Sequence, residues 1–360
     1  MDRFKSMLYL LGVPCHPVPN NLRLRPAALE LSELSKLPPE LISHIARFLP
    51  PESTLSFSLC CRPIYFTFGP QGFRNLAQNS QCFEFLTLLA RDLPNHVPCY
   101  YCKKLHAIKQ VQQHIFFAYR DNITTWLPCW KANYNFTFSH LYRNFSFTVF
   151  QMAMKRYHQG LNYSELLNLL SWKETHYQDS YVKHHTALAR IIHGSMIVRE
   201  QKIVMVPLAK QSLIQGIQRV TVCPHISLIW NLDSQGLHGI VERVESLRWD
   251  VPRIDQNWQG LVRQCPHCLT DFSLEFEQFE EKVEAVFVTK WQDLGQGRSP
   301  MDYKWQSHVA CSAERLWLSV KLNRGSVCAM FERKECFRFE STSLWTQQDR
   351  KELLGLLEHT

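Results

Sequence analysis

Apolar residues recur at helical spacing along the first part of the chain. One segment runs from Leu37 to Leu49, begins with two prolines and is followed by two more. A proline pair fits the first turn of a helix, where the missing N–H groups cost nothing. The apolar positions of this segment share one helical face: Leu41, Ile45, Phe48 and Leu49. Two further short helices are predicted after it. Three helices this small cannot bury all of their apolar surface against one another, so we expect the remaining surface to contact the rest of the chain or a partner.

Further along, the period of the pattern changes from helical to strand-like. Helical spacing predicts helices over 79–98 and 104–119, and a helix followed by a strand over 186–206. From about residue 220 apolar and polar residues alternate, which indicates strands. The alternating stretches lie at 271–277, 285–291 and, after a glycine loop, 303–309.

We therefore predict an α+β fold. Its segments follow the changes in period: an irregular lead-in at 1–35, a three-helix unit at 36–78, a helical segment with a Cys-x-x-Cys turn at 79–135, a helical middle at 136–220, an antiparallel β-rich part with a second such turn at 221–310, and a C-terminal segment ending in a helix at 311–360.

Composition narrows the class of protein. The 360 residues carry 40 Lys and Arg against 32 Asp and Glu, and 45% are apolar, which is typical of a folded globular chain. No apolar run approaches the ~18 residues that span a bilayer, so no membrane association is expected. The 13 cysteines are odd in number and irregularly spaced. This pattern favours a reducing, intracellular compartment over a disulfide framework.

Two Cys-x-x-Cys turns offer metal ligands, because a two-residue spacer lets one tight turn supply two of the four ligands of zinc. Cys265 and Cys268 precede a predicted strand, and Cys223 with His225 is the best second half-site. His267 is a substitute ligand. Four protein ligands would make such a zinc structural, because they leave no open position for catalysis.

The other turn is Cys99–Cys102. His106 and Cys129 complete a candidate site there, with His114 as an alternative on the same predicted helix face. A third arrangement has the two Cys-x-x-Cys turns share one ion. Sequence spacing leaves these pairings open.

The segment around 37–65 resembles an F-box domain. The resemblance rests on Leu-Pro-x-Glu-Leu at 37–41, followed by Ile45, Leu49 and Leu55, and on the run Ser-Leu-Cys-Cys-Arg at 58–62 before Tyr65. It implies docking on the Skp-type adaptor of SCF (Skp–cullin–RING) ubiquitin ligases. The implied adaptor contacts are Leu37, Pro38, Leu41, Ile45, Leu49 and Leu55. One departure is that Ser53 and Thr54 stand where the family commonly has an acidic residue.

The resemblance favours a non-catalytic substrate receptor, which links an unidentified target protein to the adaptor and the cullin–RING ligase in the cytoplasm or nucleus. Phosphate-binding loops, nucleophile elbows and His-Glu-x-x-His motifs are absent from the sequence, in agreement with a role without catalysis. The remainder of the chain, rich in aromatic residues, resembles the F-box proteins of filamentous ascomycete fungi. The alternative is a zinc-stabilised nucleic-acid-binding or scaffold protein, which the net charge of +8 permits. The lysines and arginines are scattered, however, and this disfavours a nucleic-acid partner.

Overall fold

A computed structural model describes residues 32–61, 64–69, 72–73, 82–115, 141, 145–178, 181–207, 216–232, 241–245, 260–279, 283–309 and 325–358. The chain divides into two compact units, Met1–Gln113 with Leu127–Cys129, and His114–Trp126 with Trp130–Thr360. Within the described ranges, no helix has both the length and the apolar character needed to cross a bilayer.

The first unit combines short helices with one β-hairpin. In chain order its elements are a 3-10 helix at Glu33–Lys36, α1 (Pro39–Phe48), α2 (Pro51–Ser58), α3 (Cys82–Asp92), β1 (His96–Cys99) and β2 (Lys104–Ala107). Prolines occupy the first positions of α1 and α2, as the sequence predicts. Residues 64–69 are also helical, in the place of the predicted third helix.

The second unit is built on antiparallel sheets. Its described helices are α4 (Phe147–His158), α5 (Ser164–Leu169), α6 (Tyr303–Val309), α7 (Ser326–Glu332) and α8 (Gln347–Glu358). Its described strands are β3 (Trp172–Gln178), β4 (Tyr181–Ile192), β5 (Ser195–Pro207), β6 (Gly216–Cys223), β7 (Ile226–Leu232), β8 (Val241–Glu245), β9 (Arg263–Gln264), β10 (Thr270–Phe279) and β11 (Val283–Gly295). Six of these form one sheet in the order β3-β4-β5-β11-β10-β9, and the other three form a sheet in the order β6-β7-β8.

The six-stranded sheet is covered on both faces. On one face Leu274 and Val288 belong to a core that includes Val222 and Leu228 of the three-stranded sheet. On the other face Trp291 packs in a core with residues of α7, and a neighbouring cluster includes Leu353 of α8. The predicted α+β class with an antiparallel β-rich C-terminal part is confirmed.

Some predicted elements differ from the structure. Among the described residues of the middle segment 136–220, helices occur only up to α5, and residues 186–206 belong to strands β4 and β5 and the turn that joins them. Strand β5 is buried on both faces along most of its length, so the alternation that identifies a half-buried strand is lost.

Two shorter predictions also fail. Of the segment 104–119, for which an α-helix is predicted, the described residues 104–115 contain β2 and a 3-10 helix at Ile108–His114, because β1 pairs with β2 across the intervening turn. Residues 303–309 form α6 instead of a strand. The Asp302 carboxylate accepts a hydrogen bond from the Lys304 N–H at 3.0 Å, a capping contact that starts a helix.

A buried carboxylate fastens α7 to the sheet. Asp271 of β10 is fully buried, and its carboxylate accepts hydrogen bonds from the backbone N–H groups of Val327 and Cys328 at 2.8 and 3.0 Å. Those N–H groups lie in the first turn of α7 and have no partner within the helix. The strand residue thus caps a helix more than 50 positions away in the sequence.

We expect Asp271→Ala to lower the free energy of unfolding by about 2–4 kcal/mol, because it removes charge-assisted hydrogen bonds and leaves buried N–H groups unpaired. Asp271→Asn keeps the shape and one acceptor oxygen, so it should cost less. Urea unfolding of both variants measures the difference. Equal stability of Asp271→Ala and the wild type would contradict this role of the carboxylate.

Candidate functional site

Helix α1 turns two apolar faces in different directions. Ile42 and Ala46 are buried, whereas Leu41, Ile45 and Phe48 are 49%, 39% and 85% exposed. The last three lie at positions i, i+4 and i+7 and form one stripe along the helix, which we call the α1 stripe. Large apolar side chains arranged contiguously on a surface mark a binding site.

Other apolar residues of this unit are also exposed or half-buried. Phe66 is 73% exposed. Pro38 is exposed, and Leu37 and Leu49 are half-buried. Phe48 and Phe66 are not among the adaptor contacts expected from the sequence, although Phe48 belongs to the periodic pattern of α1 and was detectable there.

Leu55 lies in the core of the unit instead of on its surface. Its side chain is only 4% exposed and belongs to a cluster with Phe85 and Leu86 of α3 and Leu105 of β2. That Leu55 contacts the adaptor directly stays a prediction, and the burial of its side chain against α3 and β2 speaks against it.

Thr54 makes hydrogen bonds that an acidic residue, common in F-box domains just before the position of Leu55, could not make. Its hydroxyl lies 3.0 Å from the carbonyl oxygen of Ala46 and 3.3 Å from that of Leu49. A hydroxyl donates to such carbonyls, whereas an ionised carboxylate has no hydrogen to donate. Thr54 therefore joins α2 to the C-terminal end of α1.

The first Cys-x-x-Cys turn connects β1 and β2. The ligand atoms of Cys99, Cys102 and His106, the Cys99 cluster, lie within 4.8 Å of one another. The Cys102 backbone N–H donates to the Cys99 sulfur at 3.3 Å, and Lys103 adopts a left-handed conformation (φ 49°) that closes the turn. His106 lies on a strand, and His114 is not part of the cluster. Cys129 lies outside the described residues.

The second cluster joins two turns from different sheets. Cys223 and His225 lie at the β6–β7 turn, and Cys265 and Cys268 between β9 and β10. The ligand atoms of these four residues, the Cys223 cluster, lie within 4.8 Å of one another. The structure groups Cys265 and Cys268 with Cys223 and His225, all four from the second unit.

The imidazole of His225 lies between two of the sulfurs. Its Nδ1 is 3.6 Å from the Cys265 sulfur and 3.9 Å from the Cys223 sulfur. The neighbouring His267 contributes its backbone N–H to the Cys265 sulfur at 3.4 Å, and its side chain is not part of the cluster. Of the two histidines that the sequence offers as ligands, the structure therefore brings His225, and not His267, to the three cysteines.

Burial and mutual hydrogen bonds shift the pKa values of the three thiols in opposite directions. It raises the pKa of Cys223 and Cys268 well above the usual 9.0. Hydrogen bonds from those two thiols lower the pKa of Cys265. A divalent cation would replace the protons and favour three thiolates, the form that binds metal.

A polar pocket of about 560 Å³ opens beside the β4–β5 turn and the loop after β11. At its wall the Ser195 hydroxyl donates to Asp293, and Lys304 pairs with the same carboxylate at 2.6 Å. The exposed Arg298 also lines it. Asp293 thus holds both the Ser195 hydroxyl and the Lys304 ammonium in place.

A comparison with protein families matches residues 34–68 to the F-box domain. The chain contains an F-box domain. The matched residues cover all but the first residue of the 3-10 helix, α1, α2 and all but the last residue of the helix at 64–69. An F-box domain typically binds a Skp-type adaptor in cullin–RING ligases, which supports an adaptor role in SCF-type ubiquitin ligases. F-box proteins are generally non-catalytic components of these ligases.

No curated protein and no solved structure matches the chain. The resemblance of the remainder to fungal F-box proteins therefore has no support, and only the F-box part of that expectation stands. The α1 stripe lies inside the matched F-box residues, and both cysteine clusters lie outside them.

Proposed function

We propose that this protein is a substrate receptor of an SCF-type ubiquitin ligase. Its F-box binds the Skp-type adaptor, and its second unit holds a target protein. The mechanism is positional, because holding target and ubiquitin-loaded enzyme in one complex raises the effective concentration of the target's lysines. Such a receptor needs no nucleophile of its own and works inside the cell, where the ligase is.

The α1 stripe is the observation that carries the adaptor part of the proposal. Three large apolar side chains of the F-box are exposed on one helix face, while Ile42 and Ala46 on a neighbouring face pack inward. Interfaces derive most of their affinity from a few apolar side chains that become fully desolvated. Of the expected contacts, Leu37, Pro38, Leu41, Ile45 and Leu49 remain proposed contacts, and the exposed Phe48 and Phe66 join them.

The second unit supports the receptor part by its size and surface. It holds both larger sheets and the polar pocket beside Ser195, whose open, mixed polar lining suits a segment of another protein. We assign target binding to this unit because the apolar surface of the F-box is committed to the adaptor.

Co-expression of the full chain with a Skp-type adaptor tests the proposal. We expect a one-to-one complex that elutes as a single species in size-exclusion chromatography. A folded chain that elutes without the adaptor would contradict the proposal. Target binding is tested separately, by comparing proteins ubiquitinated in cells that express the wild type or an F-box variant unable to bind the adaptor.

A further inference from the structure

We infer that the Cys223 cluster is a structural zinc site that clamps the three-stranded sheet onto the six-stranded sheet. Cys223, His225, Cys265 and Cys268 supply three sulfurs and one nitrogen, a donor set that selects zinc in tetrahedral geometry. This inference goes beyond the adaptor proposal and does not depend on it.

Two nitrogen–sulfur distances in the cluster lie close to the edge length of a zinc tetrahedron. Zinc–sulfur bonds of about 2.3 Å and zinc–nitrogen bonds of about 2.0 Å place a sulfur and a nitrogen ligand about 3.5 Å apart. The His225 Nδ1 lies 3.6 Å from the Cys265 sulfur and 3.9 Å from the Cys223 sulfur. All four ligand atoms fall within 4.8 Å of one another, so small movements of these side chains would bring them onto one ion.

The surroundings suit a closed site. The three cysteines are buried. The His267 backbone N–H points at the Cys265 sulfur, and the Thr270 hydroxyl lies 3.1 Å from the Cys268 sulfur. Such hydrogen bonds from neighbouring groups orient and stabilise metal-bound thiolates. With four protein ligands, the ion has no position left for substrate and serves to hold the fold together.

The position of the cluster indicates that the ion would hold the two sheets of this unit together. The turn between β6 and β7 and the turn between β9 and β10 belong to different sheets. Otherwise the two sheets meet through an apolar core that includes Val222, Leu228 and Leu274. A zinc ion adds a crosslink at the end of that core, and metal binding to such a site contributes directly to folding.

Zinc content of the full-length chain, purified without chelators, tests the inference by elemental analysis. We expect the double variant Cys265→Ser with Cys268→Ser to contain one zinc per chain less than the wild type. His267→Gln and Cys328→Ser should retain wild-type zinc, because His267 lies beside the cluster without belonging to it and Cys328 is a buried cysteine elsewhere in the same unit. Equal zinc in the wild type and the double variant would overturn the assignment, as would a wild type without zinc.

A measurement on the wild type alone covers the case in which the double variant fails to fold. Maleimide labelling followed by mass spectrometry should modify the exposed Cys60 at once and leave Cys223, Cys265 and Cys268 unmodified until a zinc chelator is added. Cys328 should remain protected after chelation, because its burial does not depend on the metal. Labelling of the three cluster cysteines at the same rate with and without chelator would overturn the inference.

Discussion

Replacing Leu41 and Ile45 together by aspartate is expected to abolish the complex with the Skp-type adaptor. Both side chains lie on the α1 stripe, and a carboxylate there would have to be buried without a partner at the proposed interface. Truncating one central apolar contact commonly costs about 2 kcal/mol. Two charged replacements together should weaken binding by roughly a thousandfold or more.

The fold of the variant should survive, because the inward face of α1 is formed by Ile42 and Ala46 and is unchanged. A matched control on the same helix is Ser43→Asp with Arg47→Gln, which shifts the net charge by the same two units on the polar face. Binding measured by titration calorimetry should be lost in the first variant and retained in the control. Full binding by a folded Leu41→Asp, Ile45→Asp variant would show that the adaptor uses another surface.

The second large effect is expected at Glu200, a fully buried carboxylate in the six-stranded sheet. One of its oxygens lies 2.7 Å from His185 Nε2 and 3.1 Å from Lys202 Nζ, and the other lies 2.8 Å from Lys290 Nζ. Lys290 is itself only 3% exposed. Burial alone would raise the pKa of Glu200, but the charges of Lys202, Lys290 and His185 outweigh it and hold that pKa well below 4.5.

We expect Glu200→Gln to lower the free energy of unfolding by about 3 kcal/mol or more, because it removes the negative charge that lies 2.8 Å from the buried Lys290 ammonium. Burial lowers the pKa of Lys290, and Glu200 is the group that opposes this. Adding Lys290→Met to Glu200→Gln should restore part of the stability. In a double-mutant cycle measured by urea unfolding, the effects of the two substitutions on the free energy of unfolding should therefore deviate from additivity by about 2 kcal/mol.

An exposed ion pair provides the comparison for Glu200. Lys173 lies 2.5 Å from Asp349, with both side chains partly in solvent, so Lys173→Met should lower the free energy of unfolding by less than about 1 kcal/mol.

The pH dependence of stability gives a second test of Glu200. Because folding lowers the pKa of Glu200, its contribution to the free energy of unfolding is present above pH 4.5 and is lost as the pH falls below that value. Additive effects of Glu200→Gln and Lys290→Met would contradict the coupling.

Local patterns of the sequence predicted much of the candidate site. The proline-bounded segment at 37–49 indicated helix α1, and two residues between cysteines indicated the turns at 99–102 and 265–268. These features depend on residues only a few positions apart, such as a proline in the first turn or a ligand pair in a tight turn. The pairing of Cys223 and His225 with Cys265 and Cys268 was among the sequence alternatives, and the structure brings those four together.

The sequence by itself determined that the chain carries an F-box, an α+β body and two cysteine turns. The tertiary structure alone decided which side chains are buried: Leu55 in the core, Glu200 among cations inside the sheet, and Asp271 beneath α7. A leucine on a short helix, or a charged residue in a strand, has the same local pattern whether it faces solvent or another element. Its burial depends on pairing between residues far apart in the chain, such as β5 with β11, and only the assembled sheet contains that information.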